Sequence, residues 1–190
     1  MLAIATATAT TIIIGDSMFA ESPVRDYLQE RCDCEIENRA IIGSSLHEGW
    51  VTSIPSQYYD IEDTASISTV IMDGGGNDVM SRLSDCREFN EDCKTMIKES
   101  VEIARSLIQQ MGEDGVDLVV YLGFYYIQNL NKVIDYGTAL LSRMCATSET
   151  PCVFCDPRNL TIPIGWDGLH PTREGFLMIG ELISSALEQE

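Results

Sequence analysis

The sequence predicts an α/β protein built on a parallel sheet with helices on both faces. Two observations carry that prediction. Five short apolar runs, several of them rich in Ile and Val, alternate along the chain with stretches of helical periodicity, the pattern that successive strand–helix–strand crossovers leave in a sequence. The length, 190 residues, suits one domain with a full core, whereas two domains would each be small. We therefore read residues 1–190 as a single domain, with residues 1–10 as an extension or the remnant of a signal peptide.

The elements follow in order. Thr11-Ile12-Ile13-Ile14 is a β-branched run ending at Gly15, a buried strand that enters a turn. Pro23 to Arg31 reads as a helix with Val24, Tyr27 and Leu28 on one face. Glu35 to Asn38 is a second strand. Ser66 to Met72 is a third, stopped by Gly74-Gly75-Gly76. From Glu91 to Met111, residues Ile97, Val101, Ala104, Leu107, Ile108 and Met111 keep helical spacing. Asn90 suits the N-cap of that helix and Gly112 its end. Val116 to Leu122 is a buried strand, Leu130 to Met144 a helix and Pro151 to Asp156 the fifth strand. Glu174 to Leu187 closes the chain as a helix, with Phe176, Ile179, Ile183 and Leu187 inward.

Composition narrows the function. Thirty Asp and Glu against twelve Lys and Arg give a formal charge of −18. Such a surface repels phosphate backbones and anionic membranes, which argues against a nucleic-acid partner. No apolar run approaches the roughly 20 residues of a membrane span. Seven cysteines are many for a cytosolic enzyme of this size. Cys86 and Cys93 bracket a short polar segment, as do Cys145 and Cys152. Such brackets read as disulfides closing surface loops, and so as an exported protein; reduced buried thiols are the alternative. Cys32, Cys34 and Cys155 remain, and the odd count leaves a free thiol or an intermolecular bridge. Cys152-Val153-Phe154-Cys155 has CxxC spacing, but Val153-Phe154 reads as strand interior, so we expect no metal site.

Four segments carry chemistry, and each stands where a parallel sheet forms its sites, just past a strand or before a helix. Gly15-Asp16-Ser17 follows the first strand directly, where a sheet enzyme places a nucleophile; a plain helix cap is the bland reading. Asp167-Gly168-Leu169-His170-Pro171 precedes the last helix. Its Asp and His, three residues apart across a glycine, can share the hydrogen bond that orients a catalytic imidazole. The other histidine, His47, has no comparable carboxylate near it in sequence. Gly74-Gly75-Gly76-Asn77-Asp78 follows the third strand and offers close backbone approach and an amide donor. A phosphate cradle is the rival reading, but GxGxxG, GxxxxGK[ST] and any lysine are missing there. Asn38 to Ser44 follows the second strand, and its Gly43 can present a free N–H.

Together these segments resemble the four conserved blocks of the SGNH (GDSL) hydrolase family. Gly15-Asp16-Ser17 is similar to the first block, although Met18 stands where many members have Leu. Asn38 to Gly43 is similar to the second, Gly75-Gly76-Asn77-Asp78 to the third, and Asp167 to Pro171 to the last. The resemblance runs from about Thr11 to Leu187. It implies a three-layer, flavodoxin-like α/β/α sandwich around a five-stranded parallel sheet, and hydrolysis of an acyl ester without metal or other cofactor. It implies Ser17 as nucleophile, His170 as base oriented by Asp167, and an oxyanion hole from Ser17 N–H, Gly43 N–H and the Asn77 amide. The GxSxG elbow of the α/β-hydrolases is absent.

The substrate is a small-molecule, glycan or lipid ester. With few long loops the site should be open, which favours short acyl chains. Tyr125 and Tyr126, after the fourth strand, are candidates to line its pocket. A carbohydrate O-acetylesterase is the first alternative, and a thioesterase or lysophospholipase is another. Outside the enzymes stands an inactive glycan-binding domain. We expect a monomer.

Overall fold

The computed structural model describes residues 10–32 and 35–188. Cys34 and the segment read as a signal-peptide remnant, apart from Thr10, lie outside them. Five strands form one sheet: β1 (Thr10–Ile14), β2 (Ile36–Asn38), β3 (Ile67–Met72), β4 (Leu118–Leu122) and β5 (Cys152–Cys155), in the order β2-β1-β3-β4-β5. Every pairing is parallel. This is the flavodoxin-like order, and its reversal falls at β1 and β3, where such sheets open a crevice at their carboxyl ends.

Strand periodicity of two sorts the core into two layers. Ile12 and Ile14 of β1, Val70 and Met72 of β3, and Val119 and Tyr121 of β4 face one way. They pack on α3 (Ile54–Tyr59), α6 (Glu91–Glu113) and α7 (Asn131–Ala146). Ile13, Ile71, Val120 and Leu122 face the other way, against α1 (Ser17–Ala20), α2 (Val24–Cys32) and α8 (Arg173–Leu187). The three-layer sandwich is thus the predicted one. Asn90 caps α6 by accepting from the Cys93 N–H. The helix runs two residues past Met111, and the left-handed turn falls at Gly115 rather than Gly112.

The segment from Asn77 to Cys93, to which the sequence assigns no element, is largely helical. It holds α4 (Gly76–Ser81) and α5 (Leu83–Glu88) and then enters α6. Val79, Leu83 and Phe89 pack from this segment onto a third apolar cluster with Met96, Ile97, Leu130 and Val133. Two short helices are held there by side chains that meet across the chain, a signal absent from local periodicity.

Both bracketed cysteine pairs are disulfides: Cys86–Cys93 and Cys145–Cys152. Cys155 is a buried free thiol whose desolvation pushes its pKa up to about 12. No helix among the described residues is long and apolar enough to cross a membrane. Mass spectrometry of the unreduced protein is expected to show both bridges. Cys155 should resist alkylation until the protein is denatured, because a thiol that is both buried and protonated is a poor nucleophile. Reducing the bridges, each closing a loop of about eight residues, should lower stability by about 2–3 kcal/mol apiece in urea unfolding.

Candidate active site

The site begins at Gly15, at the end of β1. A Cβ added there would lie 1.9 Å from Asp73 Oδ1, and φ is 149°, so glycine is required. The chain then turns into α1. Asp16 caps it by accepting from the Met18 N–H at 2.9 Å. Ser17 is the first residue of α1, and its Oγ lies 2.8 Å from His170 Nε2.

His170 sits on a loop tied down at both ends. Ile164 bridges Pro171 in antiparallel fashion, and the Gly165 N–H donates to the His170 carbonyl at 2.7 Å. Within it, Asp167 Oδ1 accepts the N–H groups of Leu169 and His170, both at 3.0 Å. Asp167 Oδ2 lies 2.6 Å from His170 Nδ1. The Leu169 N–H first, then the His170 ring and the His170 N–H, hold the Asp167 carboxyl down at about 2. An ionised carboxylate can only accept, so Nδ1 is the donor and Nε2 is left to accept the Ser17 hydroxyl. One unbroken hydrogen-bond chain therefore links Ser17, His170 and Asp167.

The third strand supplies the facing wall. Gly75, with φ of 101°, starts α4 in a left-handed conformation and brings Asn77 beside α1. The Asn77 amide donates to the Ser44 carbonyl at 2.8 Å and, at the longer distance of 3.2 Å, to Asp16 Oδ2. Asn38 binds the second block to the first through its donation to the Phe19 carbonyl at 2.9 Å. Gly43 lies in the exposed loop that follows, beside Asn77 along an open cleft. Among the described residues, no protein acceptor takes the N–H of Ser17 or of Gly43.

Several residues around the site gave no sequence signal. Gln57 of α3 is buried and brackets Gly15 on both sides. It accepts the Gly15 N–H at 2.8 Å and donates to the Gly15 carbonyl at 2.9 Å. It also donates to Ser44 Oγ at 2.9 Å, joining the Gly15 turn to the Gly43 loop. Asp78 is buried and accepts the N–H groups of Leu46 and His47. Its Oδ1 also lies 2.6 Å from His47 Nδ1, so His47 does have a carboxylate partner, one that sequence distance had hidden. That pair fastens α4 to the loop before α3.

The two tyrosines separate. Tyr125 is buried, and its hydroxyl donates to the Leu169 carbonyl, next to His170. Burial pushes its phenol up, so it stays a donor. It borders the pocket, yet its polar end is committed to the loop that carries His170. Tyr126 does not reach the site: it is exposed and donates to Asp135. Its predicted place is taken by Phe124, which lines the pocket beside Gly76.

Two cavities meet at Asn77. One is apolar, about 100 Å³, and runs from Ser17 and His170 between α6 and α7, past Met96, Ile97, Val133 and Gly137. The other is a wider, more polar cleft lined by Gly43, Glu48, Trp50, Arg82 and Glu99. The site holds no metal-binding cluster of His, Cys, Asp or Glu among the described residues.

No family model matches this sequence, and no curated protein matches it by sequence. Solved structures match it by shape. A lipase from a goat rumen metagenome superposes with a TM-score of 0.75 at 16% identity, over 94% of this chain and 97% of that one. An esterase from Pseudoalteromonas, inhibited by monoethylphosphonate, gives 0.68 at 13%, over 95% and 97%. A family two carbohydrate esterase from Clostridium thermocellum, in complex with cellohexaose, gives 0.66 at 13%, over 95% of this chain and 64% of its own. The chain has the fold of the SGNH-type hydrolases.

Gln57→Leu leaves the Gly15 N–H and carbonyl without their partner, and each such buried group costs about 1–3 kcal/mol. Urea unfolding of this variant should show a loss of at least about 2 kcal/mol.

Proposed function

We propose that the chain is a serine esterase of the SGNH family that hydrolyses short-chain acyl esters through an acyl-enzyme on Ser17. The observation that carries this reading is the hydrogen-bond chain from Ser17 through His170 to Asp167, at the crevice between β1 and β3. His170 Nε2 takes the Ser17 proton as Oγ attacks the ester carbonyl, and ionised Asp167 stabilises the imidazolium that results. The Ser17 and Gly43 N–H groups and the Asn77 amide receive the oxyanion, Asn77 by yielding its longer bond to Asp16. The alcohol leaves with the proton from His170. Water, deprotonated by the same imidazole, then releases the acid and regenerates Ser17. The reaction draws on no metal or other cofactor. With its two disulfides and strong negative charge, the chain reads as an exported, monomeric single domain.

Chain length follows from the apolar pocket. A cavity of roughly 150 Å³ admits benzene, and on that scale 100 Å³ takes an acyl chain of about four carbons. Butyrate esters should therefore be hydrolysed faster than acetate, and far faster than laurate. Gly137 lines this pocket from α7, and a Cβ there would stand 3.9 Å from Ile97, so a side chain fits and fills the space. Gly137→Leu should cut butyrate hydrolysis at least about tenfold while sparing acetate, and its helix should be no less stable, since glycine inside a helix costs about 0.5–1 kcal/mol.

A carbohydrate ester is a second reading, favoured by one feature. Trp50 and Trp166 are fully exposed, Trp50 on the open cleft beside Asn77 and Trp166 next to Asp167. Aromatic faces of this kind suit stacking on sugar rings. If the alcohol is a sugar, Trp50→Ala raises KM for acetylated xylan and leaves p-nitrophenyl butyrate unaffected.

Ser17→Ala should abolish ester hydrolysis while leaving unfolding unchanged; more than a few per cent of residual activity in pure protein would exclude Ser17 as nucleophile. Asp167→Asn should lose at least about a hundredfold in kcat/KM, because the amide can hold the imidazole in the wrong tautomer, a change that costs on the order of 10⁴ in an established triad.

A further inference from the structure

Beneath the nucleophile turn lie two carboxyl groups that the reaction does not consume. Asp16 and Asp73 are both buried, with 3% and 1% of their surface exposed. They meet where β1 and β3 end. The Asp16 N–H donates to Asp73 Oδ1 at 2.9 Å. Asp16 Oδ1 takes the Met18 N–H, and Oδ2 takes the Asn77 amide. Asp73 Oδ2 is fully enclosed and receives no N–H or O–H from the protein. The Asp16 carboxyl is its neighbour across the turn. Two carboxylates can only accept, so a bond between them needs a proton on one.

We propose that Asp73 keeps a proton on Oδ2 at neutral pH and donates it to the Asp16 carboxylate, so that the pair carries one negative charge and positions both Ser17 and Asn77. The choice of Asp73 follows from the bonds. Burial raises the Asp16 carboxyl too, but two N–H donors on its oxygens favour its anion. Asp73 accepts one N–H on Oδ1 and offers an empty Oδ2. Burial, and then the adjacent Asp16 charge, hold Asp73 well above the usual carboxylate range. Of the groups around the pair, Asp78 from α4 opposes a second charge, Tyr121 from β4 and Tyr125 just after it are neutral, and His170 from the loop before α8 favours only the Asp16 anion.

The proton has two consequences for the site, and these rest on the esterase reading above. It satisfies part of the Asp16 carboxylate, which loosens the hold on Asn77 and lets that amide turn to an oxyanion. It also keeps a second negative charge away from the place where an oxyanion forms. Asp73 is thus a positioning residue that acts through Asp16. A group whose folded-state pKa is raised gives stability that is fully present below its unfolded value, near 3.9 for Asp, and is lost as pH rises to the folded value. Above neutral pH, stability should therefore keep falling until Asp73 ionises, and kcat/KM should fall there with it.

Infrared spectroscopy tests the proton without any substrate. At pH 7 the wild-type spectrum should contain a carboxylic-acid carbonyl band that Asp73→Asn lacks. Melting temperature and kcat/KM for p-nitrophenyl butyrate are then followed from neutral pH to about pH 9, below the range where tyrosines and lysines dominate the titration. Asp73→Asn supplies an N–H in place of the acid O–H. It should keep activity within about fivefold at pH 7 and lose the alkaline fall in both measurements. Asp73→Leu supplies no donor, and should lose about tenfold to a hundredfold at pH 7, the effect of about 1–3 kcal/mol. Absence of the acid band in the wild type, or its persistence in Asp73→Asn, overturns the proposal. So does an Asp73→Asn enzyme as impaired at pH 7 as the leucine variant, since Asp73 would then act as an anion. Should the asparagine variant fail to fold, the wild-type band alone decides. If the protein hydrolyses no ester, the band and the melting curves still stand on their own.

Discussion

The parallel pairing of β1 with β3 is the constraint on which the rest depends. Ile13 sits beside Ile71 and Ile14 beside Met72, so the two strands end level with each other. Gly15 to Ser17 and Gly74 to Asn77, nearly 60 residues apart in sequence, are thereby delivered side by side. The first strand must stop in a glycine, because Asp73 at the end of β3 lies 1.9 Å from where a Cβ on Gly15 would stand. A slip of one residue in this register would send Ile13 and Ile71 to the wrong layer of the core and carry Ser17 away from Asn77 in the same movement. Packing and site geometry are thus specified by one alignment.

Much of this was legible in the sequence, and the reason is physical. The five strands and the four longer helices declare themselves through period, because each buries a continuous face. The Asp167–His170 turn is legible because its geometry is local: three residues and a glycine suffice to form the hydrogen bond. What escaped is what only tertiary structure assembles. Helices α3, α4 and α5 are six residues each, too short to show a period or to stand alone. Gln57 lies on one of them and looks like any polar surface residue. The partnership of His47 with Asp78 spans 31 positions. Asp73, at the end of an apolar strand, looks like an ordinary strand terminator. Tyr126 was misjudged because aromatic character does not say which of two neighbouring residues points inward.

The site is also asymmetric in how it is supported. The turn from Gly15 to Met18 is gripped from beneath by buried polar groups, Gln57 and the two aspartates, each bonded to its backbone. His170 stands nearer the surface, where Asp167 is exposed and water screens the pair. The buried half is costly to disturb, since removing one of these side chains strands buried backbone groups of the turn. The exposed half relies on short-range geometry and tolerates change around it.

That contrast gives the loop from Ile164 to Pro171 a particular character. Its ends are clipped together, its acid caps its own backbone, and its histidine is oriented from within. It is a self-contained cartridge that needs from the body of the protein little more than the Tyr125 hydroxyl to aim it. Chain length can change upstream of Ile164 without detuning the imidazole, whereas one residue gained or lost between Asp167 and His170 disarms it.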